Sequence, residues 1–361
     1  MNGAESLVRT LLACGIETCF ANPGTSEMHF VAALDKIEGI RCILGMAETV
    51  VTGCADGYAR MAGKPAATLL HCGPGLANGL ANMHNARRAH SPMVNIVGDH
   101  ATFHRPFDAP LTADTEGLAR AVSHWVRTSS SSATVGADGA AAAQAARTAP
   151  GRIATLILPA DVSWNEGGAV AQPLPFSAYG KVAPESVRAI AQALQTGEPA
   201  VLILSGRALS EAGLTAANRI AHACGATLRA SNPVARMARG RGRPPVNRVP
   251  YVVDGAVRML AGTKHLILVG AKPPTAFFAY PGKPSLTAPP DAAVYVLAEP
   301  HQDEVDALEQ LADALGAPRT APILEDEAEP QPGRGKFTPE AFAGTLAAYL
   351  PGNCIVVEDA V

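Results

Sequence analysis

Residues 66–79, AATLLHCGPGLANG, join a short apolar run to a glycine-rich turn and the start of a helical pattern. The run is apolar on both faces, which is typical of a strand buried within a parallel sheet. Similar runs (TCFAN, IRCIL, MVNIVGD and RIATLILP) alternate with helix-period segments through the first part of the chain. This alternation predicts an α/β domain whose doubly wound parallel sheet is covered by helices on both faces.

The alternation restarts in the second half of the chain, which predicts a second α/β domain of the same doubly wound class. A helix and one strand, NCIVVEDAV, close the sequence, and such a pair cannot bury a core. We interpret them as the start of a third α/β domain, the rest of which is missing. The predicted boundaries are a first domain at 1–165, a linker at 166–182, a central Rossmann-like domain at 183–320, a second linker at 321–336 and the third-domain start at 337–361.

The composition favours a globular cytoplasmic protein. A formal net charge of −3 gives no electrostatic reason to expect nucleic acid or an anionic membrane as a partner. The seven cysteines form no CxxC pair and lie mostly in apolar runs, as reduced thiols do. The N-terminus lacks a signal-peptide core, and no apolar run is long enough to cross a bilayer.

The turn Gly73-Pro74-Gly75 has two interpretations. It has the position of a dinucleotide-binding turn, but its GxGxxxG spacing is wrong for that class, so a tight structural turn and another cofactor turn both stay open. His71 precedes it at the carboxyl end of a strand, where open α/β sheets bind ligands. A structural and a functional role are equally compatible with that position. The histidines accompany no cysteine pair and no HExxH pattern, so the spacing predicts no metal site.

Glu48 stands almost alone among small and apolar residues in GMAETVVTGCADGYARMAG, residues 45–63. Its neighbours, among them Val50, Val51 and Cys54, predict that the helix and this carboxylate are buried. An acid at a helix N-terminus is favoured by the macrodipole alone. A buried carboxylate, in contrast, needs a partner or holds a proton, as groups used for acid–base chemistry do.

These stretches, taken together, resemble the N-terminal pyrimidine-binding domain of thiamine-diphosphate enzymes, in the group of acetolactate synthase large subunits and benzoylformate decarboxylase. The motifs keep the order and spacing of that family, and the central domain resembles the family's second domain more weakly. The residues that carry the resemblance are Asn22-Pro23-Gly24-Thr25-Ser26-Glu27, Ala47-Glu48, Ala55-Asp56-Gly57-Tyr58-Ala59-Arg60, Gly63-Lys64-Pro65, Gly73-Pro74-Gly75 with Asn78, Ser91-Pro92 and Gly98-Asp99.

The resemblance implies thiamine diphosphate and Mg²⁺ as cofactors. Glu48 matches the glutamate that hydrogen-bonds a ring nitrogen of the aminopyrimidine, and His71 matches a catalytic histidine that, like Thr25, contacts substrate. In the family a GDG motif of the third domain holds Mg²⁺ and the diphosphate, and this sequence has no GDG. A second subunit that shares the active site, in a homodimer or tetramer, is therefore implied. The further cofactor-binding residues by resemblance are Asn22, Pro23, Gly24, Gly73, Pro74 and Asn78.

The implied reaction is the decarboxylation of a 2-oxo acid. Phe277 stands where the decarboxylase supplies a second catalytic histidine, so a proton donor is lost and carboligation of the acetolactate synthase type is favoured. A benzoylformate-type decarboxylase and a non-catalytic paralogue or subunit are the alternatives. No flavin-binding signature is evident in the central domain, so FAD is not expected.

Overall fold

The computed structural model describes residues 1–323 and 330–358, which divide into two compact units. The first unit comprises Met1–Val182, Val234–Arg236 and Pro300–Asp303. The second comprises Ala183–Pro233, Met237–Glu299 and the described residues from Glu304 onward. Within the described part of the chain, no helix combines the length and apolarity that crossing a membrane requires.

The first unit contains a six-stranded sheet in the order β2-β1-β3-β4-β6-β5, in which all neighbours are parallel. Its strands are β1 (Thr18–Asn22), β2 (Arg41–Leu44), β3 (Ala66–Leu70), β4 (Met93–Asp99), β5 (Trp125–Thr128) and β6 (Ile153–Pro159). Its helices are α1 (Gly3–Ala13), α2 (Met28–Lys36), α3 (Glu48–Ala62), α4 (Cys72–Arg88), α5 (Thr115–Val122), α6 (Val135–Arg147) and α7 (Ala160–Trp164).

Two apolar clusters lie on opposite faces of this sheet, as the doubly wound prediction requires. Strand β4 contributes Val94 and Ile96 to one cluster and Met93 and Val97 to the other. Strand β1 pairs with β2 on one side and with β3 on the other, so the strand order changes direction between β1 and β3. In open α/β sheets such a switch point opens a crevice at the carboxyl ends of the strands.

The second unit contains a five-stranded parallel sheet in the order β11-β10-β7-β8-β9. The predicted α/β class is therefore confirmed for both parts of the chain. The strands are β7 (Ala200–Leu204), β8 (Thr227–Ala230), β9 (Asn247–Arg248), β10 (His265–Val269) and β11 (Ala293–Ala298). The helices are α8 (Pro184–Gln195), α9 (Glu211–Cys224), α10 (Val253–Leu260), α11 (Glu304–Ala314) and α12 (Pro339–Tyr349).

The structure differs from the sequence-based elements in four places. Helix α5 and strand β5 form in a stretch expected to be a loop, and α10 was not anticipated. Residues 166–182, expected to be a linker, lie with the first unit. The strand expected at the end of the chain is wrong for residues 354–358, because a strand needs a neighbour to pair with and these residues have none in the described chain. Residues 324–329 of the second linker and 359–361 lie outside the described residues.

A buried ion pair fixes helix α3 against the start of β4. The Arg60 guanidinium donates to both oxygens of Asp56, at 2.9 and 2.7 Å, and the Ser91 hydroxyl donates to the same carboxylate at 2.5 Å. Asp56 is buried and Arg60 is half-buried. Removal of Arg60 would leave the buried Asp56 charge with the Ser91 hydroxyl as a donor but without its cation.

We expect Arg60→Ala to lower the free energy of unfolding of the first unit by about 2–4 kcal/mol. Arg120 makes the same i,i+4 pair with Glu116, but its side chain is 64% exposed, so Arg120→Ala is the matched control and should cost about 0–1 kcal/mol. Both tryptophans, Trp125 and Trp164, lie in the first unit, so tryptophan fluorescence during urea unfolding follows that unit alone. Equal decreases in the free energy of unfolding of Arg60→Ala and Arg120→Ala would contradict the interpretation of Asp56–Arg60 as a buried pair.

Candidate active site

The candidate site lies at the switch point of the first sheet, on the segments that follow β1, β2 and β3. Strands β1 and β3 end side by side, with Asn22 paired to Leu70. The Asn22 side-chain amide donates to the Gly45 carbonyl at 2.7 Å and so holds the loop that leads from β2 to Glu48. Asn22, expected to contact the cofactor, thus makes a positioning contact in this structure.

Glu48 begins α3 but is only half-buried. The expectation of a buried carboxylate is therefore wrong. Helix α3 packs one stripe on the core, including Val51 and Ala55, whereas Val50 and Cys54 are exposed. The number of apolar residues near Glu48 in the sequence could not show which of them face the core and which face solvent.

The Glu48 carboxylate lies close to Gly75, in the first turn of α4. The Asn78 amide donates to Glu48 Oε2 at 3.2 Å. A Cβ placed on Gly75 would lie 3.0 Å from Glu48 Oε1 and 3.3 Å from the Cβ of His71. The absence of a side chain at Gly75 therefore permits the Glu48 carboxylate and His71 to pack closely against the first turn of α4.

His71 is held by Glu27, a residue of the NPGTSE motif to which the sequence analysis gave no role. His71 Nδ1 lies 2.9 Å from Glu27 Oε2, and Glu27 is fully buried. The same carboxylate accepts the Gly24 amide at 2.7 Å and a short hydrogen bond from the Ser26 hydroxyl. Because a carboxylate only accepts, Nδ1 of His71 is the donor in this pair, and in the neutral imidazole Nε2 is then the acceptor.

The three-residue spacing from Gly24 to Glu27 is the sequence signal that could have identified Glu27 as a capping residue. An acid at the third residue of a helical turn that accepts the amide at the turn's start is a local capping arrangement. Spacing along the sequence could not show that the same carboxylate reaches across to His71, because that contact joins residues on two different strand ends.

Close backbone approach explains two glycines near this pair. A Cβ on Gly98 of β4 would lie 1.6 Å from Glu27 Oε1, and a Cβ on Gly24 would lie 2.4 Å from His71 Nδ1. Gly73 has a different environment, since its Cβ would collide with Ala113 at 2.4 Å. Gly73 is thus required by packing against Ala113, whereas Gly75 is required by packing against Glu48 and His71.

A cavity of about 380 Å³ lies beside His71. The Thr102 amide and hydroxyl donate to Asp161, at 2.9 and 2.5 Å, and this pins the loop that forms one wall. The lining residues are Thr25, Ser26, His71, Cys72, His100, Ala101, Phe103, His104, Leu111, Ala160 and Trp164. The structure therefore brings together Thr25 and His71, the two predicted substrate contacts of the first unit.

Cys72 is the buried thiol of this site. Its Sγ lies 3.1 Å from the Ser26 hydroxyl, and its backbone φ of 51° is unusual for a residue other than glycine. Burial raises the pKa of the Cys72 thiol to about 11, and the carboxylates of Glu27 and Asp99 act in the same direction. The side chain is therefore a neutral thiol at physiological pH.

The remaining predicted residues occupy varied positions. Pro74 and Asn78 are exposed on the first turns of α4, and Pro23 is half-buried in the loop after β1. Phe277 belongs to the second unit, where its ring is 56% exposed and packs 5.0 Å from Tyr251. The structure places Phe277 in an exposed aromatic group together with Phe278.

Comparison with known proteins agrees with this architecture. The family model described as the N-terminal TPP binding domain of thiamine pyrophosphate enzymes matches residues 1–124. The Mycobacterium tuberculosis protein IlvX, whose name assigns it to acetolactate synthase large subunits, is 50% identical over 359 residues, 99% of this chain and 69% of the relative. The chain therefore belongs to the thiamine pyrophosphate enzyme family.

Two further proteins bear on the site and the fold. Benzoylformate decarboxylase of Pseudomonas aeruginosa is 43% identical over 84 residues, which are 23% of this chain and 16% of that protein. A solved structure from Mycobacterium smegmatis, described as a thiamin diphosphate-dependent enzyme, has a TM-score of 0.77 at 22% identity and shows the shared fold. The alignment covers 91% of this chain but 66% of the solved chain.

We expect Gly98→Ala to displace Glu27 and lower the free energy of unfolding of the first unit by about 1–3 kcal/mol. Gly57→Ala is the matched control, because its Cβ would have nothing within 4 Å in helix α3, and it should stabilise by about 0.5–1 kcal/mol. Urea unfolding followed by tryptophan fluorescence measures both. A Gly98→Ala variant as stable as the parent would show that Glu27 is not confined as described.

Proposed function

We propose that the protein uses thiamine diphosphate to decarboxylate a 2-oxo acid and ligate the product to a second carbonyl compound, as in acetolactate synthases. The observation that carries the proposal is the half-exposed Glu48 carboxylate, held by Asn78 over Gly75 at the edge of the sheet that also presents His71. The family to which the chain belongs and the strong similarity to IlvX support it.

The residues at this edge fit the pyrimidine half of the cofactor. Gly75 lets the start of α4 pack closely against Glu48 Oε1, so the ring would bind on the solvent-exposed side of this half-buried carboxylate. Glu48 would share a proton with a ring nitrogen, and Asn78 would hold the carboxylate in place. Mg²⁺ prefers oxygen ligands, and the one mixed cluster of ligand atoms found in the described residues combines carboxylate, imidazole and thiol. We therefore propose that Mg²⁺ and the diphosphate bind to a further domain.

Thiamine diphosphate supplies the carbon nucleophile and the electron sink for loss of CO₂. Glu48 contributes a proton-exchanging carboxylate beside the ring. His71 lines the cavity as a tautomer set by Glu27, so its Nε2 can accept a hydrogen bond from substrate and receive a proton. Apolar side chains such as Phe103 and Leu111 form part of the cavity wall around it.

A second subunit that completes the active site forms part of the proposal. Large apolar side chains stand exposed on the segment that carries Glu48: Met46 is 87%, Leu44 69% and Val50 51% exposed. An apolar group of this kind beside a polar site marks a surface that another protein covers. We propose that the covering surface belongs to a second copy of this protein, in a dimer or tetramer.

We also propose that the central unit works without FAD. The switch point of its sheet lies between β7 and β10, where a dinucleotide would bind. A Cβ on Gly206 or on Gly270 would lie 2.8 Å from Oε1 of Glu304, which is buried at this crevice. The Glu304 side chain therefore fills the space beside the two glycines, where a diphosphate would have to bind.

The alternative function is simple decarboxylation of the benzoylformate type. The local similarity to benzoylformate decarboxylase and the cavity of about 380 Å³ beside His71 favour it. Phe277 opposes it, because an aromatic hydrocarbon cannot donate the proton that would release an aldehyde. A non-catalytic paralogue is the third hypothesis. The next experiment distinguishes it from both the carboligase and the decarboxylase.

We expect Glu48→Gln to lower thiamine-dependent CO₂ release by about 100-fold or more, because the amide cannot exchange a proton with the pyrimidine ring. The assay uses the full-length protein with Mg²⁺ and either pyruvate or benzoylformate. Glu38→Gln, at an exposed acid between α2 and β2, is the control and should leave the rate unchanged. Equal rates in the two variants would contradict the role of Glu48, and no release from the parent protein would favour the paralogue.

We expect the parent protein to release mainly ligated product from pyruvate, and Phe277→His to increase the aldehyde fraction by supplying a proton donor. Phe278→His introduces the same imidazole at the neighbouring exposed ring and should leave the product ratio unchanged. Proton NMR of the reaction mixture measures both products. Aldehyde as the main product of the parent protein would favour the decarboxylase alternative.

A further inference from the structure

We propose that Glu27, His71 and Cys72 form a binding site for Zn²⁺. One carboxylate oxygen, one ring nitrogen and the thiol sulfur lie within 4.8 Å of one another. These three donor types are the ones that zinc takes in proteins, whereas Mg²⁺ takes oxygen. The site is distinct from the magnesium site implied by the resemblance, and sequence spacing missed it because Glu27 lies on another strand end.

The geometry needs only small movements to close on an ion. Tetrahedral zinc sets its oxygen, nitrogen and sulfur ligands about 3.4–3.6 Å apart. Glu27 Oε2 and His71 Nδ1 are already 2.9 Å apart. The Ser26 hydroxyl lies among the three ligands, 3.3 Å from His71 Nδ1, 3.1 Å from Cys72 Sγ and in a short hydrogen bond with Glu27. It marks the point on which they converge, and rotation about χ1 of Ser26 would vacate that point.

Charge favours a dication in this position. The Glu27 carboxylate is fully buried. Asp99, a second buried acid near the thiol, is ion-paired with Arg105 at 3.5 Å, so Glu27 supplies the main negative charge of the site. On binding, Zn²⁺ displaces the Cys72 thiol proton to solvent and forms a zinc–thiolate bond. The carboxylate and the thiolate then neutralise the two charges of the ion, and His71 binds as a neutral imidazole.

The ion would change the state of His71. Nδ1 donates to Glu27 in the free site, so coordination through Nδ1 requires the ring hydrogen to move to Nε2. The acceptor that faces substrate in the proposed function is thereby lost. The cavity beside Ser26 and Cys72 gives the ion a path to the site and space for a water as fourth ligand. Inhibition of turnover by Zn²⁺ follows, and this consequence rests on the proposed function, whereas binding itself does not.

Titration of the chain with Co²⁺, in the absence of thiamine diphosphate, tests the site directly. A thiolate ligand produces a near-ultraviolet charge-transfer band, so we expect that band to saturate at one equivalent and to disappear when Zn²⁺ displaces Co²⁺. Cys72→Ser should abolish the band. Glu27→Gln keeps the thiolate and the side-chain volume, and should weaken Co²⁺ binding by about 10–100-fold or more. Circular dichroism confirms that each variant is folded.

Two control variants make the result specific. Cys54→Ser removes an exposed thiol from the same unit and should leave the band intact. Cys42→Ser tests the other place where two thiols approach, because Cys42 pairs in register with Cys19. Absence of the band in the parent protein, its persistence in Cys72→Ser or its loss in Cys42→Ser would each overturn the proposal. The readout requires no turnover, so it stands even if the protein lacks decarboxylase activity.

Discussion

The buried carboxylate of Glu27 is the constraint on which the site depends. A charge removed from water must be compensated by donors. Glu27 obtains them from the backbone of Gly24 after β1, from Ser26 and from His71 after β3. Gly98 of β4 lacks the side chain that would occupy the same space. One carboxylate thus ties together the ends of three neighbouring strands and sets the tautomer of the histidine that lines the cavity.

The other side of His71 faces Gly75 in the first turn of α4. Because Gly75 has no side chain, both His71 and the Glu48 carboxylate pack closely against it, and the Asn78 amide donates to that carboxylate. Asn22 holds the loop that delivers Glu48 to this place. The motif residues therefore divide into those that position a neighbour and those that permit close packing. In the proposed enzyme Glu48 would exchange a proton with the pyrimidine ring, and His71 would exchange one with substrate in the cavity.

The sequence predicted the two parallel α/β sheets, because buried strands and helical segments have distinct apolar patterns. The family resemblance named Thr25 and His71 as substrate contacts, and in the structure both line one cavity because both follow strands that end at the switch point. The sequence could not predict the half-exposure of Glu48, because apolar residues on α3 serve two different faces. The roles of Glu27 and Cys72 depend on contacts between separate strand ends, which no local pattern records. Helix α12 was predicted from its apolar pattern, but its apolar side chains are exposed in the structure. An apolar pattern predicts a helix, whereas burial also requires a neighbouring element that packs against it.

A crystal structure of the full-length protein with thiamine diphosphate and Mg²⁺ tests the central claim most directly. The account predicts that a pyrimidine ring nitrogen lies within hydrogen-bond distance of the Glu48 carboxylate, on its solvent-exposed side, with His71 still held by Glu27. A cofactor bound without contact to Glu48 would contradict it.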